Sequence, residues 1–148
     1  MEDNKIAQVN MLLYDCTKKE VLKKISKIQD NEILYVYAYN YNWDDGFEIP
    51  QKILSNKECE LSTALVLFYS ADGYSYLLDK SSQENLSEWF SFVTKLYTSI
   101  LNKNYPQKEI GYKIPLSKVQ IYKLKKTLTE QENIFIMYVI GKNLDITL

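Results

Sequence analysis

The chain has 148 residues, 46% of them apolar, with only 4 glycines and 3 prolines; this suits one folded domain spanning 1–148 and excludes a long linker or low-complexity protein. Its 18 basic residues are all lysine, and against 19 acidic residues they leave a net charge of -1, so it lacks both the arginine forks and the positive field that usually hold nucleic acid. With 0 histidines and 2 cysteines, Cys16 and Cys59, it excludes His-dependent catalytic dyads, His-ligated zinc and four-thiolate zinc, so no cofactor or metal is expected.

The opening residues MEDNKIAQVN lack the basic-then-apolar pattern of a signal peptide, and no run reaches the roughly 18 apolar residues of a membrane span. A cytoplasmic, membrane-free location is the expectation, with both thiols reduced.

In chain order, Ile6, Val9, Leu12 and Leu13 fall at helical spacing and predict a short first helix over 5–14. Thr17 and Glu20 fit a capping box opening a second helix, with Val21, Leu22, Ile25 and Ile28 on one face. Asp30 can cap a third, EILYVYAYN, which is apolar almost all round; its Val and Tyr residues would also suit a strand, but its helical neighbours favour a helix. Pro50 lies near the first turn of a short helix, PQKILSN. Ser62 is a plausible cap for the apolar ALVLFY helix, which Asp72-Gly73 stops.

YSYLL leads to a second capping pair, Ser81 and Glu84. The helix expected there, over 82–102, carries the longest stripe in the chain: Leu86, Trp89, Phe90, Val93, Leu96, Tyr97, Ile100 and Leu101. Beyond Pro106 the pattern weakens. Ile121, Leu124 and Leu128 suggest a lysine-rich helix, and Thr129 with Glu132 can cap a last one, IFIMYVI, ending at Gly141; that run also reads as an edge strand. The expected fold is all-α, a compact array of short helices in stacked pairs with a C-terminal strand as an alternative.

The stretch NYNWDDGFEIP, residues 40–50, holds the candidate site. Asp44, Asp45 and Glu48 form a local acidic cluster, and paired carboxylates can serve in acid–base or oxygen-ligand chemistry. DDGFE is too short for an EF-hand, and adjacency in sequence does not pair carboxylates in space. The structural alternative is a corner: an aspartate begins the turn, Gly46 takes a positive φ, Trp43 and Phe47 bury their rings, and Pro50 opens the next helix.

The run from Asn40 to Gly73 resembles DUF4274, a small uncharacterised domain family found mostly in bacterial proteins. The residues that carry the resemblance are Asn42-Trp43-Asp44-Asp45-Gly46, Pro50, Ile53-Leu54, Asn56, Cys59, Thr63-Ala64-Leu65, Phe68-Tyr69 and Ala71-Asp72-Gly73. Ser62 departs from the glycine common in the family at its position. The family-like core covers about residues 30–100 and brings no catalytic assignment with it. Because the resemblance links NWDDG to ECELSTAL, it implies that Thr63, in the first turn of the buried helix, can meet Asp44 or Asp45, as a structural lock or as a carboxylate held ready for a ligand. Trp43, Asp44, Asp45, Glu48, Thr63 and Asp72 are therefore the candidate binding or structural residues. The 13 tyrosines suit a core that reaches its own edge, or a partner surface. The leading expectation is a non-enzymatic module that binds another protein, an immunity protein being one version; the alternative is a carboxylate-based or metal-dependent hydrolase.

Overall fold

The computed structural model describes residues 1–81 and 87–148, and every element of regular structure among them is helical. α1 (Asp3–Asn10) widens into a π-helical turn at Met11–Asp15, burying Val9 and Leu12. α2 (Lys18–Ile25) opens on the expected capping box: the Thr17 hydroxyl accepts the Glu20 amide at 3.2 Å, and the Glu20 carboxylate accepts the Thr17 amide at 3.0 Å. Asp30 caps α3 (Asn31–Tyr39) by accepting the amides of Glu32 and Ile33. The cap explains why this Val- and Tyr-rich run is a helix: it satisfies free first-turn amides that a strand would have paired elsewhere.

α4 (Glu48–Ser55) follows the corner, with Pro50 in its first turn, where a missing amide costs nothing. α5 (Leu61–Ser70) is buried from Leu61 through Phe68, and α3 from Glu32 through Ala38. These two helices pack on each other at the centre; α1 lies on α3, α2 on α4, and α6 (Gly73–Leu78) and α7 (Glu88–Leu101) on α5. All-round apolarity is thus the signature of the two central helices, each fully buried Leu, Ile or Phe contributing about 1.5–3 kcal/mol. α7 is the longest helix among the described residues; of the expected stripe Val93, Leu96 and Ile100 are buried and Trp89, Phe90, Tyr97 and Leu101 are half-buried, while Phe92, not expected there, is buried with the first three. Ser87 caps it, accepting the Phe90 amide at 3.1 Å. The predicted partner of Ser81, Glu84, lies outside the described residues, as does Leu86.

Two expectations need correction. Ser62 caps nothing: α5 begins one residue earlier, and the Ser62 hydroxyl is buried without a hydrogen-bond partner among the described residues. The C-terminal run IFIMYVI is neither a full helix nor a strand. After α8 (Lys118–Lys125), Thr129 and Glu132 do cap each other, but they open only a 3-10 turn over Gln131–Phe135. The turn stops because Phe135 is drawn into the core, stacked on Tyr97 at 5.2 Å and packed on Phe68 at 4.9 Å, while its carbonyl accepts the Tyr69 hydroxyl instead of a helical amide. From there the chain passes through a bend at Met137 with no regular element, Met137 and Tyr138 exposed and Val139 buried. It meets residues 110–112 only through isolated bridges, Tyr112 with Val139 and Ile110 with Lys142, so no strand forms among the described residues. The two segments approach closely at Gly111 and Gly141, where a Cβ on Gly141 would lie 2.6 Å from the Glu109 carbonyl oxygen and the Gly111 nitrogen.

Candidate functional site

The stretch between α3 and α4 is a 3-10 turn, Trp43–Asp45. Asn42, and not Asp44 or Asp45 as expected, starts it by accepting the Asp44 amide at 3.0 Å, and the Gly46 amide closes it on the Trp43 carbonyl at 3.2 Å. Gly46 sits at φ 90° and ψ -164°, backbone that essentially only glycine adopts. The Tyr41 hydroxyl then donates to the Gly46 carbonyl at 2.6 Å. Trp43 is half-buried, edge-on to Tyr41 at 5.2 Å and to Phe92 of α7 at 5.8 Å, and Phe47 packs on the same Phe92 at 5.1 Å. An aromatic cluster thus seats the turn against α7, and the polar residues face outward.

The candidate residues are placed as follows. Asp44 and Asp45 are both exposed. Glu48 is the first residue of α4 and pairs with Lys18 at 2.9 Å, tying that helix to α2. Thr63 is buried in α5, its hydroxyl without a hydrogen-bond partner among the described residues, so the expected lock to Asp44 or Asp45 does not form. Asp72 takes a left-handed φ of 61° between α5 and α6 and accepts the Ser75 hydroxyl at 2.7 Å. The Trp89 indole N–H donates to the adjacent Ala71 carbonyl, which fixes α7 to this bend. The structure therefore gathers Trp43, Asp44, Asp45 and Glu48 at one corner and leaves Thr63 and Asp72 elsewhere. Among the described residues, no three His, Cys, Asp or Glu side chains converge as metal ligands.

Two buried carboxylates, Glu60 and Glu32, went unsignalled in sequence, and a third, Glu132, was expected only as the capping partner of Thr129. Glu60 is 1% exposed, and one oxygen accepts the amides of Glu109 at 2.9 Å and Ile110 at 3.1 Å while the other accepts the Asn31 side-chain amide. It clamps the loop after α7 onto the start of α5. Glu32 binds Lys142 and Lys5, each at 2.9 Å, so α3 holds both the N-terminal helix and the C-terminal segment; the hydrogen bonds from Lys142 and Lys5 keep its carboxyl below the ordinary range. Glu132 accepts the Tyr97 hydroxyl at 2.6 Å and pairs with Lys80 at 2.9 Å. Burial alone would raise its pKa, but the Thr129 amide, the Tyr97 hydroxyl and Lys80 prevail and hold it at about 2. A glutamate in a polar-looking sequence carries no mark of this fate; only its tertiary partners do. Asn56 acts similarly, donating to the Ile25 and Ile28 carbonyls at the end of α2, both at 2.8 Å.

A second surface involves none of the corner residues. A cleft of about 740 Å³ opens between the end of α7 and the C-terminal segment, lined by Leu61, Tyr105, Pro106, Ile134, Met137 and Tyr138 among others. Beside it Met137, Tyr138 and Ile140 are 62%, 55% and 83% exposed, a run of large apolar side chains in contact with water. Among the described residues no helix is long and apolar enough to cross a membrane.

No curated protein and no solved structure matches the chain. The model of one family does match, over residues 29–101, a span that holds α3 through α7 with the corner and Glu60, but not the loop that Glu60 clamps. Residues 29–101 of this chain match DUF4274, a domain of unknown function.

Proposed function

We propose that the chain acts as a single non-enzymatic helical domain that binds another protein, and that it does so through the segment 137–140 and the cleft beside it. The observation that carries this reading is the run of exposed Met137, Tyr138 and Ile140 flanking the isolated bridge at Val139. Val139 exchanges both main-chain hydrogen bonds with Tyr112, at 2.9 and 3.0 Å, so in an antiparallel pairing residues 138 and 140 turn their main-chain groups the other way, where the Ile140 carbonyl accepts only a long hydrogen bond of 3.3 Å from the Gln107 side chain. That outer edge suits an extended, apolar segment of a partner, paired by main-chain hydrogen bonds and selected by its side chains in the cleft. An immunity-type role is one form of this reading. A carboxylate hydrolase is less well supported, because Asp44 and Asp45 are exposed neighbours and the buried glutamates are each bound by amides, hydroxyls or lysines.

The test compares immobilised wild-type protein with Ile140→Asp and Met137→Asp variants in capture from the native cell extract, after melting curves establish that the variants fold. A partner retained by wild type and lost by both variants supports the reading. Capture unchanged by either substitution would show that this edge is not the binding surface.

A further inference from the structure

We propose that the hollow beneath the Asn42–Gly46 corner is a binding site for one small cationic group, a primary ammonium or guanidinium such as ends a lysine or arginine side chain. The hollow has a volume of about 230 Å³ and is lined by Leu12, Cys16, Tyr37, Tyr41, Asn42 and Asp45 among others. That is below the roughly 300–1,000 Å³ of sites for drug-sized ligands, and it suits a single side chain or a short amine. It lies apart from the 137–140 edge, so it stands or falls independently of the protein-binding reading.

Three features select the ligand. Tyr37 is 3% exposed, lines the hollow, and its hydroxyl has no hydrogen-bond partner among the described residues. The hydroxyl is not among the buried polar atoms left without a partner, so it is reached from the solvent side of the hollow, where it can accept an N–H donor that enters. Its neighbour Tyr41 is not available in the same way, since that hydroxyl is committed to the Gly46 carbonyl at 2.6 Å.

Charge is the second feature. Asp45 lines the hollow, is exposed, and forms no ion pair among the described residues, with Asp44 next to it in the turn. Lys18 also lines the hollow, but Glu48 neutralises it at 2.9 Å. The net field therefore attracts a cation and repels a carboxylate or phosphate. Burial raises both tyrosine hydroxyls, Tyr41 to about 12, and the nearby Asp45 adds to the rise, so both stay neutral.

The third feature is the wall itself. The Tyr37 and Tyr41 rings lie 6.2 Å apart, with Trp43 edge-on to Tyr41, which provides aromatic surface for the stem and charge of an organic cation. A metal ion would find one carboxylate where it needs several, since no three ligating side chains converge among the described residues.

The test titrates n-butylammonium into protein labelled at its tyrosine rings, at constant ionic strength, and follows the ring resonances by NMR. Sodium butyrate serves as the charge control. Saturable shifts at Tyr37 and Tyr41 with the ammonium and none with butyrate are expected. Asp45→Asn should weaken the ammonium about tenfold or more while its melting temperature stays near that of wild type. Tyr37→Phe should also weaken it, without loss of stability, because the hydroxyl it removes has no internal partner. A blocked Gly-Lys-Gly peptide distinguishes the sources: tighter binding than butylammonium identifies a polypeptide side chain, and exclusion identifies a free amine. No saturable shift, an equal response to butyrate, or an Asp45→Asn variant that binds as well as wild type would each overturn the proposal.

Discussion

Replacing Gly46 by alanine isolates backbone strain from every other cost. A Cβ at this position meets nothing closer than the Lys18 ammonium at 3.9 Å, the far end of a flexible side chain, so steric clash with neighbours contributes little. The cost comes from φ 90° and ψ -164°, a region that penalises an L-residue by about 1–3 kcal/mol. Alanine also narrows the unfolded ensemble, which offsets about 0.4–1 kcal/mol of that. The midpoints of the two ranges leave a net loss of about 1.3 kcal/mol, or roughly 3–5 °C in melting temperature for a domain of this size. Urea unfolding at matched m-values measures it directly. Reversing the sign of both dihedrals gives -90° and +164°, ordinary extended backbone, so a D-alanine introduced by chemical ligation should restore or exceed wild-type stability. If L-alanine is neutral, or if the D-residue destabilises as much as the L-residue, the account of this corner as a glycine-dependent turn is refuted.

Glu60→Gln should cost about 1–3 kcal/mol by denaturant melt, because the new amide group faces the Asn31 amide or the backbone amides of Glu109 and Ile110, donor against donor. Gly141→Ala should cost about 1–3 kcal/mol and raise hydrogen exchange at the Gly111 and Val139 amides, since its Cβ would fall 2.6 Å from the backbone of the facing segment. Glu132, held at about 2 in the folded chain against an ordinary 4.5, contributes stability that is complete above pH 4.5 and is lost as pH falls toward 2; melting temperature measured across that window should decline less steeply in Glu132→Gln. Asp44→Asn should change stability by no more than about 0.5 kcal/mol in the same assay, as its carboxylate is exposed at the turn.

The features legible in sequence were those set by near neighbours. The Thr17–Glu20 and Thr129–Glu132 boxes, the Asp30 cap, the Asp72-Gly73 stop and the α7 stripe all involve residues within one or two turns of each other. The Ser117–Gln120 box that opens α8 has the same local form, with both hydrogen bonds present, but was not singled out. The C-terminal run was ambiguous because IFIMYVI suits a helix and a strand about equally. Its outcome depends on Phe68, Tyr69 and Tyr97, which lie 38 to 67 positions before Phe135 and are invisible to any local window.

The same division runs through the candidate site. Composition determined what this chain lacks: with no histidine, two cysteines and no arginine, whole classes of chemistry are closed to it whatever its fold. Local pattern determined that NYNWDDGFEIP would turn between two helices, because Gly46 and Pro50 act through their own backbone; that the Asn42 side chain, rather than an aspartate, starts the turn came from the structure. Only the tertiary structure decided that Asp44 and Asp45 would face water and that Thr63 would be buried without either of them. It also decided that Glu32, Glu60 and Glu132 would be drawn inward to hold distant segments together. The physical reason is that a charge is buried only where amides, hydroxyls and opposite charges gather to solvate it, and those groups come from segments up to 110 residues apart in the chain.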